Sequence, residues 1–205
     1  IGARRAEVAP NDDPRAMEQR YLCGAVFDGL LKGTGNLDGV DRDQLRTAIV
    51  RGLHNQDGHA RSKVSNIYSR LSFEDIQSLL PAILEAVVKP APSGEMFADG
   101  VRLNGLKVLA SHHIEEGLYA CADYVMNQNP WASQERIKEI LPILLQYGAN
   151  AQAVLPKLRE AVDYFENREP DFPKKLSLQK AAAVREAITR IEAAQERPEL
   201  KRIQP

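Results

Sequence analysis

The stretch DIQSLLPAILEAVV (Asp75–Val88) decides the fold class, because its apolar residues recur at intervals of three and four. Those residues are Ile76, Leu79, Leu80, Ile83, Leu84, Val87 and Val88. The spacing places them on one face of an α-helix that packs through a single apolar stripe. Pro81 lies inside this pattern and predicts a bend, because proline removes a backbone donor.

The same spacing recurs along most of the chain, whereas no useful length of strand-type alternation is found. It predicts helices at 14–31, 41–54, 58–71, 73–88, 98–112, 115–127, 134–147, 151–166 and 178–195. Short connections between helices favour antiparallel packing of sequence neighbours. The sequence therefore predicts an all-α fold, with a plain closed bundle and a stack of helix pairs as the two alternatives.

Composition and charge narrow the classes of function. Of 205 residues, 43% are hydrophobic, 27% charged and 6% aromatic, and the net charge is −1. Basic and acidic residues number 11 and 9 in 1–71, 7 and 13 in 72–167, and 9 and 6 in 168–205. No segment has the basic excess of a nucleic-acid footprint, so no nucleic-acid partner is expected. No apolar run approaches the ~20 residues of a membrane span, so none is expected.

The two cysteines, Cys23 and Cys121, lie far apart among apolar residues, which is typical of small core residues and not of a disulfide framework. This reduced-thiol usage permits a cytoplasmic location without defining the compartment. The chain begins Ile-Gly without a methionine, as expected of a fragment that lacks its own N-terminus.

An acid followed by proline or glycine, and then by an arginine, opens three of the predicted helices. The acids are Asp13, Asp57 and Asp99, and the arginines are Arg15, Arg61 and Arg102. The acids are 44 residues (13 to 57) and 42 residues (57 to 99) apart. A period of about 40–47 residues is typical of HEAT and armadillo arrays.

These elements resemble the HEAT repeat family. SLLPAILEAV followed by DGVR resembles its first helix with a mid-helix proline, then its Asp turn and Val-Arg opening; EILPILLQYG and AVLPKLREAV resemble further first helices. The sequence departs from the family pattern in three ways: the spacing between the acid and the arginine varies, the linker before Asp99 is long, and the Asp turn is lost after residue 115. The resemblance implies antiparallel helix pairs stacked as a short HEAT-like α-α superhelix. It also implies ion pairs between Arg15, Arg61 or Arg102 and acids of neighbouring units.

The expected organisation is a flexible segment at 1–12, one helical repeat domain at 13–195 and a flexible tail at 196–205. The repeat units are expected at 13–54, 57–88, 98–127 and 134–166, with a terminal helix at 178–195. By the resemblance, we expect a non-catalytic scaffold or protein–protein interaction domain within a larger protein, with a protein or peptide partner. The alternative is an accessory enzyme domain with a polar or metal site near 54–61 or 111–116.

That alternative depends on side chains in two polar stretches of the sequence, here called the first and the second polar corner. The first contains His54, Asn55, Asp57 and His59, residue types that include metal ligands. However, Asp57 there also fits a helix cap, and His54 fits the last turn of the preceding helix. The second corner contains His112, His113 and Glu116, with glutamates misplaced for a metalloprotease motif.

Two other features, a Gly-rich stretch and the single tryptophan, do not define a function. The Gly-rich stretch LLKGTGNLDG (30–39) lacks the flanking strand and Lys-Ser/Thr of a phosphate-binding loop. Trp131, the single tryptophan, lies beside a turn and is a candidate contact residue, although such a residue more often closes the end of a core. No catalytic residue, cofactor or metal site is predicted.

Overall fold

The computed structural model describes residues 22, 25–26, 29, 39, 41–55, 57–90, 97–127, 134–169 and 173–203. From residue 41 onward, the described residues form nine α-helices and no strand, which confirms the all-α fold. The helices are α1 (Arg42–Leu53), α2 (Gly58–Ser65), α3 (Phe73–Gln77), α4 (Leu80–Val88), α5 (Ala98–Ser111), α6 (Glu115–Met126), α7 (Gln134–Leu145), α8 (Leu155–Asp163) and α9 (Lys174–Ala193). A 3-10 helix follows α2 (Asn66–Arg70), another precedes α8 (Gly148–Val154), and a π-helical turn follows α8 (Tyr164–Arg168).

Short polar side chains start the first three helices, as their sequence positions predict. The Asp41 carboxylate accepts from the backbone N–H groups of Asp43 and Gln44 at the start of α1. Asp57 accepts from the N–H of His59 in α2, and the Ser72 hydroxyl accepts from the N–H of Asp75 in α3. Each contact gives a hydrogen-bond acceptor to a backbone N–H of the first helical turn, which has no intrahelical partner.

The single helix predicted over 73–88 is instead two helices, separated at Ser78 and Leu79. Pro81 lies in the first turn of α4 and does not bend a continuous helix. Proline fits there because its missing N–H would have no intrahelical partner in the first turn. Val88 ends α4 and is 57% exposed, so the end of the predicted stripe is outside the core.

The chain divides into two compact units, 1–108 and 109–205. In the first unit, α1 runs in the same direction as α3 and α4. Near its start, Arg42 Nη1 lies 3.0 Å from Asp75 Oδ2, and just after its end, His54 Nε2 lies 3.0 Å from Glu85 Oε2. The fully buried side chains of this unit include Ile49, Ile67, Ile76, Leu79, Ile83 and Leu106.

The helices α2 and α5 also share a direction. The Asn104 amide donates to the Ser65 hydroxyl at 3.0 Å and to the Asn66 side-chain oxygen at 2.8 Å. One turn earlier in both helices, a Cβ on Gly100 would lie 3.7 Å from Ser62 Oγ. The first unit thus pairs α1 with α3–α4 and α2 with α5, each pair in the same direction.

In the second unit, α9 packs against α7 and α8, and α6 packs against α7. Pro142 lies inside α7, and Pro156 lies in the first turn of α8. The fully buried side chains include Leu118, Ile137, Ile140 and Tyr147. No helix in the described parts of the chain is long and apolar enough to cross a membrane.

Candidate functional site

The candidate metal ligands of the first polar corner contact separate partners. His54 Nε2 lies 3.0 Å from Glu85 Oε2 on α4, and this contact lowers the pKa of the Glu85 carboxyl, first through the hydrogen bond and then through charge. The Asp57 carboxylate caps α2. The His59 ring stacks at a tilt on Phe97, with 5.2 Å between ring centroids.

Asn55 organises the turn between α1 and α2. It is 2% exposed, and its side-chain oxygen accepts from the backbone N–H of Asp57 at 2.8 Å. Its backbone carbonyl accepts from the Arg61 guanidinium. An asparagine that bonds two residues ahead in this way forms an Asx turn, so the buried amide positions the start of α2.

The repeated arginines contact the end of the helix that precedes them. Arg61 reaches the Asn55 carbonyl just after α1, and Arg102 Nη2 donates to the Lys89 carbonyl just after α4 at 3.1 Å. Asp99 lies in the first turn of α5 and is buried. The predicted ion pairs between units stay a prediction. Asp13, Arg15 and Trp131 lie outside the described residues.

Within the described ranges, no group of three or more His, Cys, Asp or Glu side chains is arranged to hold a metal ion. Cys121 is buried in α6, and burial raises the pKa of its thiol, which disfavours the nucleophilic thiolate. Cys23 lies outside the described residues.

The second polar corner is where the end of the chain docks. Residues 194–203, here called the tail, follow α9 and run past the start of α6. The Lys201 N–H donates to the His113 carbonyl at 3.0 Å, and the Glu115 N–H donates to the Lys201 carbonyl at 2.8 Å. Ile114 and Lys201 thereby form an isolated parallel bridge. The sequence predicts a flexible tail at 196–205, whereas residues 196–203 make ordered contacts.

Side chains in the first turn of α6 add to this main-chain pairing. The Glu115 carboxylate forms an ion pair with the Arg202 guanidinium through Nε and Nη2. The Glu116 carboxylate accepts from the Ile203 backbone N–H, at 3.1 Å and 3.3 Å to its two oxygens. Glu116, a candidate metal ligand in the sequence, is therefore bound to the backbone of the tail.

The 3-10 helix before α8 supplies a second set of contacts. The Ala149 N–H donates to the Glu196 carbonyl at 2.8 Å, and the Asn150 side-chain amide donates to the Pro198 carbonyl at 2.7 Å. Gly148 has φ +54°, and a Cβ there would collide with the Glu196 carbonyl oxygen. We call residues 113–116 and 148–150 together the docking surface.

Buried groups stabilise the backbone conformation of the docking surface near His113 and Ile114. His113 has φ +52°, an uncommon left-handed conformation for a residue with a side chain. The Tyr147 hydroxyl donates to the Ile114 carbonyl at 2.9 Å, in the core. Burial, with smaller contributions from the charges of Lys201 and His113, lowers the pKa of the His112 imidazole.

Replacing Tyr147 with Phe is expected to lower the free energy of unfolding by about 1–2 kcal/mol, because the Ile114 carbonyl loses a buried donor. Tyr68 is the control: its hydroxyl is also buried, and the described residues offer it no hydrogen-bond partner. Tyr68→Phe should be neutral or stabilising. Urea unfolding of both variants measures the difference, and equal destabilisation would contradict it.

Comparison with family models, with curated proteins and with solved structures found no match to this chain.

Proposed function

We propose that the chain is a non-catalytic protein–protein interaction domain, built of HEAT-like helix pairs, whose docking surface binds an extended segment of a partner protein. One observation carries the proposal: the docking surface already holds an extended segment, residues 196–203, through main-chain hydrogen bonds. Such bonds form with any extended peptide, and nearby side chains then select among sequences.

The first unit supports the repeat part of the proposal. Stacked helix pairs of a solenoid place equivalent helices side by side in the same direction. The same-direction pairing of α1 with α3–α4, and of α2 with α5, has this arrangement. The contacts of Arg61 and Arg102 with the ends of their preceding helices also repeat from one pair to the next.

The accessory-enzyme alternative has less support. It needs polar side chains that converge, whereas His54, Asp57 and His59 each contact a different group. In the other corner, Glu116 holds the tail backbone. The polar residues of both corners have structural partners, which favours an interaction domain over a reactive site.

The proposal is tested by selecting peptides from an unbiased library on a full-length variant with a released tail. Lys201→Pro removes the N–H that bonds His113, and Arg202→Ala removes the ion pair with Glu115, while the docking surface keeps its own residues. We call this double substitution the open-surface variant. It should enrich a family of related peptides more strongly than the wild type, whose tail competes.

A matched control blocks the docking surface. Adding Glu115→Pro to the open-surface variant removes the donor to the ligand, yet proline is well tolerated at the first position of a helix. Enrichment should disappear in this control while its circular dichroism keeps the helical signal. If the open-surface variant enriches nothing above background, or if the blocked control enriches the same peptides, the proposal is wrong.

A further inference from the structure

We infer that the partner segment is basic: an extended stretch in which an adjacent lysine and arginine precede an apolar residue, and which displaces the chain's own tail. This inference rests on the proposed function and specifies its partner. It follows from how the docking surface holds Lys201, Arg202 and Ile203.

The docking surface combines fixed main-chain groups with two carboxylates. The His113 carbonyl and Glu115 N–H fix the ligand backbone on both sides of one residue, so the next two side chains have defined positions. At the first of these, the Glu115 carboxylate meets the Arg202 guanidinium through two N–H groups. A guanidinium matches a carboxylate in this two-bond geometry better than an ammonium does.

The preceding ligand position accommodates a cation, Lys201. Lys201 is exposed, and burial lowers the pKa of the nearby His112 imidazole, which reduces the positive charge beside the ammonium. The carboxylates of Glu115 and Glu116 both belong to the first turn of α6, and they bind Arg202 and the Ile203 backbone. An acidic residue in place of Arg202 would face the like charge of Glu115, and like-charge contacts discriminate against wrong partners.

None of the tail residues 194–203 is fully buried. Residues 195–197, 199, 201 and 202 are exposed, and the half-buried residues are Ala194, Pro198, Leu200 and Ile203. Few apolar side chains therefore anchor it, and its ion pair with Glu115 is at the surface. Its advantage over a separate segment is covalent attachment to α9, and a tethered segment can have an effective concentration on the order of millimolar.

The test measures fluorescence anisotropy of two labelled peptides with full-length protein. One peptide has the sequence of residues 196–205, and the other carries Lys201→Glu and Arg202→Glu in that sequence. The open-surface variant should bind the basic peptide at least about tenfold more tightly than the acidic one. The wild type should bind the basic peptide at least about tenfold more weakly than the open-surface variant does, because its tail competes.

Adding Glu115→Arg to the open-surface variant should reverse the preference between the two peptides, with helical content unchanged by circular dichroism. Equal binding of both peptides would overturn the basic preference and leave the proposed function standing. Binding of neither peptide would overturn both. Equal affinity of the wild type and the open-surface variant for the basic peptide would overturn displacement of the tail.

Discussion

Replacing Lys180 with Met is expected to lower the free energy of unfolding by about 3–5 kcal/mol. Lys180 Nζ lies 2.6 Å from Glu169 Oε1, and the two side chains are only 4% and 10% exposed. The Ser177 hydroxyl donates to the same carboxylate, and the ammonium lies 5.0 Å from the centroid of the Phe165 ring. Methionine fills similar space, but it leaves the Glu169 carboxylate buried without its cation.

Lys175→Met is the matched control, because Lys175 is exposed on the same helix. Its effect should be within about 0.5 kcal/mol. Replacing Glu169 with Met in the Lys180→Met background should recover much of the lost stability, since no unpaired charge remains. Denaturant unfolding of the four proteins measures these differences, and a Lys180→Met variant as stable as Lys175→Met would refute the buried ion pair.

Replacing Ile83 with Ala is expected to lower the free energy of unfolding by about 2–5 kcal/mol. Ile83 is completely buried in α4, so the substitution removes apolar contacts and leaves a cavity. The measurement is again the midpoint and slope of denaturant unfolding, in which the slope should stay unchanged.

Val88→Ala on the same helix provides the comparison. The apolar stripe of the sequence includes both residues, but Val88 is 57% exposed at the end of α4. Its substitution should change the free energy of unfolding by less than about 0.5 kcal/mol. A loss at Val88 as large as the loss at Ile83 would mean that α4 does not end where the structure places its last turn.

Most of the fold class could be predicted from the sequence, because helical periodicity and N-caps are local signals. Asp41, Asp57 and Ser72 are recognisable as caps without knowledge of tertiary structure. The break before Pro81 could not be placed, since proline fits either a kink or the first turn of a new helix. The packing of one helix pair on the next depends on contacts between residues 31–39 positions apart, such as His54 with Glu85 and Asn104 with Ser65, which periodicity does not encode.

The contacts of the docking surface were even less predictable from the sequence. Polar residues at 112–116 could be recognised as a corner, but their partner lies 87 positions away in a polar segment without periodicity. Main-chain hydrogen bonds leave no signature in side-chain types, so Lys201 and Ala149 carry no sequence signal. Gly148 after Tyr147 is a local signal in this region, because a glycine that follows a helix favours a positive φ.

Amide hydrogen exchange resolved by residue can show whether the docking surface binds an extended segment through the main chain. In the wild type, the amides of Lys201, Glu115 and Ala149 should be protected, because each donates to a carbonyl across the docking surface. In Gly148→Ala, a side chain at positive φ that meets the Glu196 carbonyl should displace the tail, with loss of protection at Lys201 and Ala149 but not inside α6. Unprotected amides at Lys201 and Ala149 in the wild type would mean that the docking surface does not bind the tail through its main chain.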